Sequence, residues 1–197
     1  MKRLYTFLFL LLFSLQTSSL ADDISDFQIE GMSVGDSLLE HFSNKIIIEA
    51  SNSGFYYPKS DKFITIKIYQ KIGKYDFFQF AIKLKDKNYV IYSLEGSKIY
   101  QHNIKRCINE QKKILLQLKS FFPNAKTTTD NSPHTYDKSG KSFTYETYYD
   151  LKDGGSIGVL CYDWSEKLTK KYNWKDNLKV VVDTQEFTSF LTKEAYK

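Results

Sequence analysis

The sequence contains very little arginine. Only Arg3 and Arg106 are arginines, and every other basic residue among the 28 is a lysine. Sites that bind phosphate or carboxylate in two-point fashion usually rely on the planar guanidinium group, and Arg106 is the single candidate outside the N-terminal segment. The formal net charge is +5, and without residues 1–21 it is 26 basic against 23 acidic, or +3. A balance this mild does not favour a nucleic-acid partner.

Motifs for metal or phosphate binding are also missing. The three histidines, His41, His102 and His134, are far apart, and none pairs with a close Cys or His at a metal-ligand spacing. No glycine-rich stretch has the pattern of a phosphate-binding loop. We therefore predict neither a metal site nor a cofactor.

Only two cysteines occur, Cys107 and Cys161. In an oxidising compartment two thiols of one domain usually form a disulfide. Cys107 lies on the apolar face of a predicted helix and Cys161 on one face of a predicted strand, so packing the helix on the sheet would let the sulfurs meet. The alternative is a reactive thiol, which lacks an adjacent histidine in the sequence. We predict a disulfide between Cys107 and Cys161.

The N-terminus has the pattern of a secretory signal peptide. Lys2 and Arg3 form a short basic region, residues 4–15 are apolar, and the polar residues that follow include Ser19 and Ala21 at the small-residue positions. The apolar run is short for a membrane span, which needs about 20 residues. We expect cleavage after Ala21, export to the periplasm or out of the cell, and no integral membrane span afterwards.

Apolar periodicity predicts the elements of the first half of the chain. We expect a short strand at residues 26–30, a turn at Gly31, a helix at about 34–43 and a polar loop at 51–60. Strict alternation with short turns then predicts a three-stranded antiparallel meander. Its strands are expected at residues 62–70, 76–85 and 89–94.

A long helix is predicted at about residues 103–121, because apolar residues recur there at spacings of three and four before Pro123. Residues 124–141 are polar and long for a connection, which is typical of a mobile or functional loop. Gly154 and Gly155 then predict the turn of a hairpin, with strands at residues 142–151 and 156–164.

The chain is expected to end with a strand at residues 178–183 and a short helix capped by Asp183, with Glu186 three residues later. The predicted fold class is α+β, with antiparallel sheet segments (hairpins and a meander) covered by a long amphipathic helix and short helices. Residues 22–197 would form a single exported domain. Its halves, about 22–123 and 142–197, could be two lobes joined by loop 124–141.

Residues 35–38 read Gly35-Asp36-Ser37-Leu38. These four letters resemble the first motif of the GDSL (SGNH) hydrolases, in which the serine is a nucleophile on a tight turn after an apolar strand. The resemblance implies a serine esterase or lipase using Ser37, with a base from an Asp-x-x-His motif and a Gly-x-Asn-Asp motif near the oxyanion. The sequence departs from the family here, because neither further motif occurs and the last 60 residues contain no histidine.

A helix start explains the same letters. Ser33 would be the N-cap, and Asp36 would complete a capping-box-like pair in the first turn, where the helix dipole favours negative charge. Val34, Leu38 and Phe42 would then form one apolar stripe. We prefer this interpretation, which assigns Ser33 and Asp36 to a helix cap and assigns no catalytic residue.

The longer segment DFQIEGMSVGDSLLEHF, residues 26–42, is similar to the mature N-terminus of exported bacterial proteins of unknown function. This resemblance covers a small part of the chain. It implies export and nothing about activity.

Tyrosine is abundant, with 15 residues. Tyr145, Tyr148 and Tyr149, together with Tyr56 and Tyr57, are candidates for an aromatic surface that binds a sugar or a protein partner. The alternative for each of them is packing within a strand.

The function predicted from the sequence is a non-catalytic binding or scaffolding module of the cell envelope, whose partner is an envelope protein or surface component. Two alternatives stay open. One is a serine esterase that uses Ser37, and the other is a carrier of a small apolar ligand in an aromatic-lined cavity.

Overall fold

The computed structural model describes residues 24–197, so the predicted signal peptide lies outside the described residues. Within that range the strands form one eight-stranded antiparallel sheet, in the order β1-β2-β3-β4-β8-β7-β6-β5. The strands are β1 (Phe55–Tyr56), β2 (Phe63–Ile68), β3 (Phe77–Lys83), β4 (Ser93–Gln101), β5 (Lys126–Pro133), β6 (Phe143–Asp150), β7 (Ser156–Asp163) and β8 (Asp176–Asp183). The α-helices are α1 (Asn44–Asn52), α2 (Ile104–Phe121), α3 (Glu166–Tyr172) and α4 (Gln185–Lys193).

The sheet consists of two meanders that join at β4 and β8. The predicted meander of the first half is confirmed in its strand order, since β2, β3 and β4 pair in sequence, but its third strand begins at Ser93 rather than at residue 89. The predicted hairpin around Gly154 and Gly155 is confirmed too, because it connects β6 to β7. β4 then pairs with β8 from Ser93 opposite Asp183 onward. A mixed fold with an antiparallel sheet is therefore present, and one sheet runs through both halves of the chain.

One face of the sheet, called the apolar face below, carries the main hydrophobic core. Its central side chains are Ile64, Ile66, Ile68, Phe78, Phe80, Ile82, Leu94, Ile157, Val159, Cys161, Leu178, Val180 and Val182, all buried. Ile47 of α1, Leu118 of α2 and Leu38 of the N-terminal segment belong to the same cluster. Removal of this apolar area from water, at about 25 cal/mol per Å², is the main force that holds these elements on the sheet.

Contacts fix α2 against β7. Cys107 and Cys161 lie at disulfide distance, with their Cα atoms 6.0 Å apart, so the predicted pairing is confirmed. One turn further along α2, the buried amide of Gln111 donates to the carbonyls of Tyr145 and Val159, each at 2.8 Å. A buried amide left without partners would cost about 1–3 kcal/mol, so these bonds also define how α2 is rotated.

The residues between these along each strand place their side chains on the opposite face of the sheet, called the polar face below. Its side chains include Thr65, Lys67, Gln79, Lys83, Glu95, Ser97, Thr144, Glu146, Tyr148, Tyr162, Asn177 and Lys179. Near one end of this face, Phe187 and Phe190 of α4 pack with Tyr57, Phe63 and Ala81 in a second, smaller core. The rest of the polar face has no helix of comparable length packed on it among the described contacts.

The N-terminal segment differs from the prediction. Residues 26–30 are not a strand: a 3-10 turn (Ile24–Asp26) precedes one isolated bridge between Ile29 and Met32. The tight turn at Gly31 is confirmed, with φ of 52° at Glu30 and 82° at Gly31.

The predicted helix cap at Ser33 and Asp36 is wrong. The Asp36 carboxylate does accept a hydrogen bond from the Ser33 N–H at 2.8 Å, but no helix follows Ser33. The N-cap is Ser37, which starts the 3-10 helix Leu38–Glu40 and forms a capping box with Glu40. The α-helix of this region, α1, begins later, after the N-cap Ser43.

Tertiary pairing explains why the predicted helix does not form. The Gly35 N–H donates to the Ile91 carbonyl at 2.8 Å, and the Leu38 N–H donates to the Tyr89 carbonyl at 3.1 Å. These backbone groups are therefore used against residues 89–91 and cannot serve a helix. Gly35 also has a φ of 93°, outside the right-handed helical region.

Two further boundaries differ from the prediction. β4 begins at Ser93 and extends to Gln101, because residues 89–91 pair with the N-terminal segment instead. The stretch 124–141 is not one loop, since β5 (Lys126–Pro133) pairs with the whole length of β6 and forms an edge of the sheet.

The helices of the C-terminal region also differ in part. α3 was not predicted, and the N-cap of α4 is Thr184 rather than Asp183, with its side chain accepting from the Phe187 N–H. The predicted long helix corresponds to α2 in its bounds. None of the helices in the described part of the chain combines the length and apolarity that crossing a bilayer requires.

Candidate functional site: an aromatic groove on the polar face

The tyrosines singled out from the sequence do not form one surface. Tyr56 and Tyr57 lie at the β1 edge of the sheet, and Tyr145, Tyr148 and Tyr149 lie on β6 near the opposite edge. Alternation along β6 separates Tyr148, on the polar face, from the other two. The predicted five-residue aromatic surface is therefore not present.

Two of these tyrosines, Tyr57 and Tyr149, are buried and have structural partners. Tyr57 is buried, and its hydroxyl shares a hydrogen bond with Thr65 at 2.8 Å. Tyr149 is buried, and its hydroxyl donates to the Leu115 carbonyl of α2 at 3.2 Å. Burial raises the pKa of both hydroxyls, because it disfavours the phenolate. Tyr56, by contrast, is 55% exposed.

Ser37 also has structural partners. Its hydroxyl donates to the Asn88 carbonyl at 2.5 Å and accepts from the Leu39 N–H at 3.2 Å. Within residues 24–197 none of its hydrogen bonds involves a histidine. His41 faces the Asp36 carboxylate at 3.5 Å, and His134 packs on Trp164.

A groove of about 510 Å³ lies on the polar face, beyond the part that α4 contacts. Its floor is formed by side chains of interior strands, and its two walls are aromatic. Both tryptophans of the chain, Trp164 and Trp174, line it. This convergence of large aromatic side chains from distant segments is the strongest candidate for a functional site in the described residues.

The first wall consists of Trp164, Tyr172 and Trp174. The ring centroids of the two tryptophans are 4.6 Å apart, and Tyr172 is stacked on Trp174 at 5.0 Å with an angle of 28° between the rings. Trp164 is stacked in turn on Tyr162 of the floor at 5.5 Å and 14°. Asn173 ends α3 in the left-handed conformation, with φ of 56°, and this turn brings Trp174 back beside Trp164.

The loop after β5 supports this wall from behind. The His134 ring lies 4.6 Å from Trp164, and Tyr136 lies 5.1 Å from Trp174 and donates a hydrogen bond to the Tyr172 hydroxyl at 3.2 Å. Burial lowers the pKa of His134, so its ring is neutral at physiological pH and packs as an aromatic group.

A buried carboxylate holds the same loop. Asp137 accepts hydrogen bonds from the Ser139 hydroxyl at 2.7 Å and from the N–H and hydroxyl of Ser142 at 3.0 and 2.7 Å. The hydroxyls of Ser139 and Ser142 hold the pKa of Asp137 far below its usual range. The carboxylate stays ionised at physiological pH, and the loop that supports the tryptophans stays closed on itself.

The second wall consists of Tyr69 and Phe77, which follow β2 and begin β3. Their ring centroids are 5.7 Å apart. The ammonium group of Lys67 lies 3.9 Å from the Phe77 ring centroid and 5.1 Å from that of Tyr69, so cation–π attraction holds it between the rings. Tyr69 is 78% exposed, which leaves its ring available to a ligand.

The floor is organised around Glu95 of β4. Its carboxylate accepts from the Gln79 amide at 2.6 Å, from the Ser97 hydroxyl at 2.7 Å and from the Lys179 ammonium group at 3.2 Å. Lys179 also lies 5.2 Å from the Tyr162 ring centroid. The Glu95 carboxylate is thus engaged by an amide, a hydroxyl and an ammonium group, and two of these donors, Gln79 and Lys179, line the groove.

A second hollow of about 480 Å³ lies on the other side of Trp164, and Asp163, Asp176 and His102 are among its lining residues. Strand alternation places both aspartates on the apolar-face side of β7 and β8, so the sheet separates them from the groove. Burial raises the pKa of each, and the charge of Asp163 raises that of Asp176 further. No group of three or more His, Cys, Asp or Glu residues in the described range is placed to hold a metal ion.

One pattern in the sequence indicates the groove. Trp164, Tyr172 and Trp174 fall within a short polar stretch, where large aromatic residues are not needed for a core. Comparison of the chain with protein-family models, with curated proteins and with solved structures gives no match in any of the three.

Proposed function

We propose that the chain is an exported, non-catalytic binding protein of the cell envelope and that the aromatic groove holds its ligand. The observation that carries this proposal is the meeting of Trp164, Tyr172 and Trp174 with Tyr69 and Phe77 across a polar floor. Sites that bind small molecules or chain ends combine apolar walls with a few directed polar groups in this way.

Two features support export. Residues 1–21 have the composition of a secretory signal peptide. The pair Cys107–Cys161 lies at disulfide distance, and such bonds persist mainly in oxidising compartments.

The groups in the groove favour binding over catalysis. The Glu95 carboxylate is engaged by Gln79, Ser97 and Lys179, and a general base needs a free lone pair aimed at substrate. The Lys179 ammonium group is paired with that same carboxylate. The polar floor also favours a ligand with hydrogen-bonding groups over a purely apolar one.

The two tryptophans allow a direct test. Because Trp164 and Trp174 are the only tryptophans, every indole N–H resonance in an NMR spectrum of the mature chain reports on the groove. We expect members of a fragment set of monosaccharides, disaccharides and aromatic acids to shift these resonances, and Trp174→Ala to abolish the response. Tyr56→Ala, which removes an exposed aromatic residue at the β1 edge, should leave it unchanged.

If no fragment shifts the indole resonances, or if Tyr56→Ala abolishes the response as Trp174→Ala does, the proposal is overturned. The serine esterase is separated from it by a second assay on the same protein. Hydrolysis of p-nitrophenyl butyrate that is lost in Ser37→Ala would replace a binding function by an enzymatic one.

A further inference from the structure

We infer that the ligand of the groove is a glycan chain that carries carboxylate groups. This inference rests on the proposed function, because it names the ligand class of the same groove. Four properties of the groove lead to it: the paired backbone of the floor, the aromatic walls, the amide side chains of the lining and the sign of the charge.

The floor presents side chains to a ligand, because the backbone N–H and C=O groups of its strands are paired within the sheet. It lies on β3, β4 and β8, and each of these strands pairs with a neighbour on both sides. An extended peptide is usually bound by adding it to an unpaired sheet edge, through main-chain hydrogen bonds. The groove lies away from both edges, so its occupant has to be recognised by its own hydroxyl, amide or charged groups.

The walls present flat apolar surfaces that are open to solvent. Tyr172 stacks on Trp174 with the ring centroids 5.0 Å apart and an angle of 28° between the rings, and Tyr172 is 39% exposed. Across the groove, Tyr69 stands 78% exposed. A pyranose ring has a flat face of C–H groups that can lie on such rings, and its hydroxyls remain at the rim to make hydrogen bonds.

Amide side chains suit the hydroxyls of such a ligand. Gln79, Asn173 and Asn177 line the groove, and each amide carries both donors and an acceptor. The side-chain oxygen of Asn177 has no hydrogen-bond partner among the described residues, although its nitrogen donates to the Lys175 carbonyl. Because this oxygen is buried, the amides of Gln79 and Asn173 are the ones that the hydroxyls of a ligand can reach.

The charge of the lining selects an anionic ligand. Lys67, Lys175 and Lys179 line the groove, and no acidic residue does. Glu95 below the floor neutralises Lys179, which leaves two lysines whose charge is not balanced by an acid of the lining. Lysine acts as a point charge and does not require the two-pronged geometry of arginine. Single carboxylates along a sugar chain match this arrangement.

The test compares three probes by intrinsic tryptophan fluorescence of the mature chain: a hexameric oligogalacturonate, the neutral cellohexaose and hexaglutamate. We expect the oligogalacturonate to shift the emission and to bind at least about tenfold more tightly than either other probe, the factor that one charge-assisted contact supplies. Its affinity should fall as the salt concentration rises, because exposed charges are screened.

Variants assign the effect to individual groups. Lys67→Gln and Lys175→Gln should each bring the affinity for oligogalacturonate toward that for cellohexaose, and Lys112→Gln, an exposed lysine of α2, should not. Tyr69→Ala should weaken both sugars while both tryptophans remain as reporters. A circular dichroism spectrum and thermal unfolding curve for each variant show that the fold is kept.

The results distinguish the charge of the ligand, its sugar nature and binding itself. Equal affinity for cellohexaose and oligogalacturonate, with loss in Tyr69→Ala, would overturn the acidic ligand and leave the binding function in place. Hexaglutamate binding as tightly as the sugar would overturn the glycan. If none of the probes changes the fluorescence, the inference is wrong, and the indole resonances with the fragment set decide separately whether the groove binds anything.

Discussion

The carboxyl group of Asp183 provides a quantitative test of how the polar face is built. It lies at the end of β8, where the Ser93 hydroxyl donates to it at 2.5 Å. Burial raises the pKa of Asp183 from 3.8 to about 6, partly opposed by the Ser93 hydroxyl and assisted by the nearby charge of Glu95. An acidic group with a raised pKa is protonated more readily in the folded chain than in the unfolded chain.

The direction of the pH effect follows from this difference. Between about pH 4 and pH 6 the folded state binds more protons than the unfolded state, so the free energy of unfolding falls as the pH rises through this window. A difference of about 2 pH units corresponds to about 3 kcal/mol, at 1.36 kcal/mol per unit. Asp183→Asn keeps an acceptor for Ser93 and removes the charge. We expect this variant to gain about 3 kcal/mol over wild type between pH 3.5 and pH 7.5.

Urea unfolding at the two pH values, followed by circular dichroism, measures the change. Asp130→Asn, at an exposed position of β5, is the matched control and should follow the wild type at both pH values. If the difference between Asp183→Asn and wild type is the same at pH 3.5 and pH 7.5, the carboxyl group is not held in the protonated form and the reasoning fails.

Two further predictions concern the core. The Cys107→Ala/Cys161→Ala double variant should lose about 4 kcal/mol of unfolding free energy, because the bond closes a loop with a sequence separation of 54; wild type in reducing agent should match it in urea unfolding, and an unchanged midpoint in both would contradict the bond. Gly96→Ala should cost about 1–3 kcal/mol, since its Cβ would lie 2.9 Å from the buried Tyr75 ring. Tyr75→Leu should reduce that cost in a double-mutant cycle, and independent, additive effects would show that the ring is not the obstacle.

Local sequence patterns were sufficient to predict the hairpins and α2. Alternation in β2 and β3 and the glycine pair before β7 are properties of a few consecutive residues, and they do not depend on the rest of the fold. β5 was not predicted, because it has no such local pattern. All but one of its residues are exposed, so it has no apolar alternation, and its strand character comes only from pairing with β6.

The region around Ser33 contains two possible helix starts, one at Ser33 and one at Ser37. Ser33 with Asp36 and Ser37 with Glu40 have the same serine-to-acid spacing, and each can form a capping pair. The chain uses both interactions but starts a helical turn only at Ser37. The choice depends on backbone bonds to residues 89–91, which a short-range pattern does not contain.

The groove could not be predicted from the sequence, because the residues that line it come from distant segments of the chain. Lys67 and Phe77 belong to the first meander, and Trp164 and Trp174 flank α3 in the second half of the chain. They meet only because β4 pairs with β8, which sets the two meanders side by side with their polar faces aligned. Alternation predicts that a side chain leaves the core, but it does not say which other side chains it joins. The abundance of tyrosine directed attention to tyrosines, whereas both tryptophans line the groove. Large aromatic side chains in a polar segment are the feature that indicates such a surface.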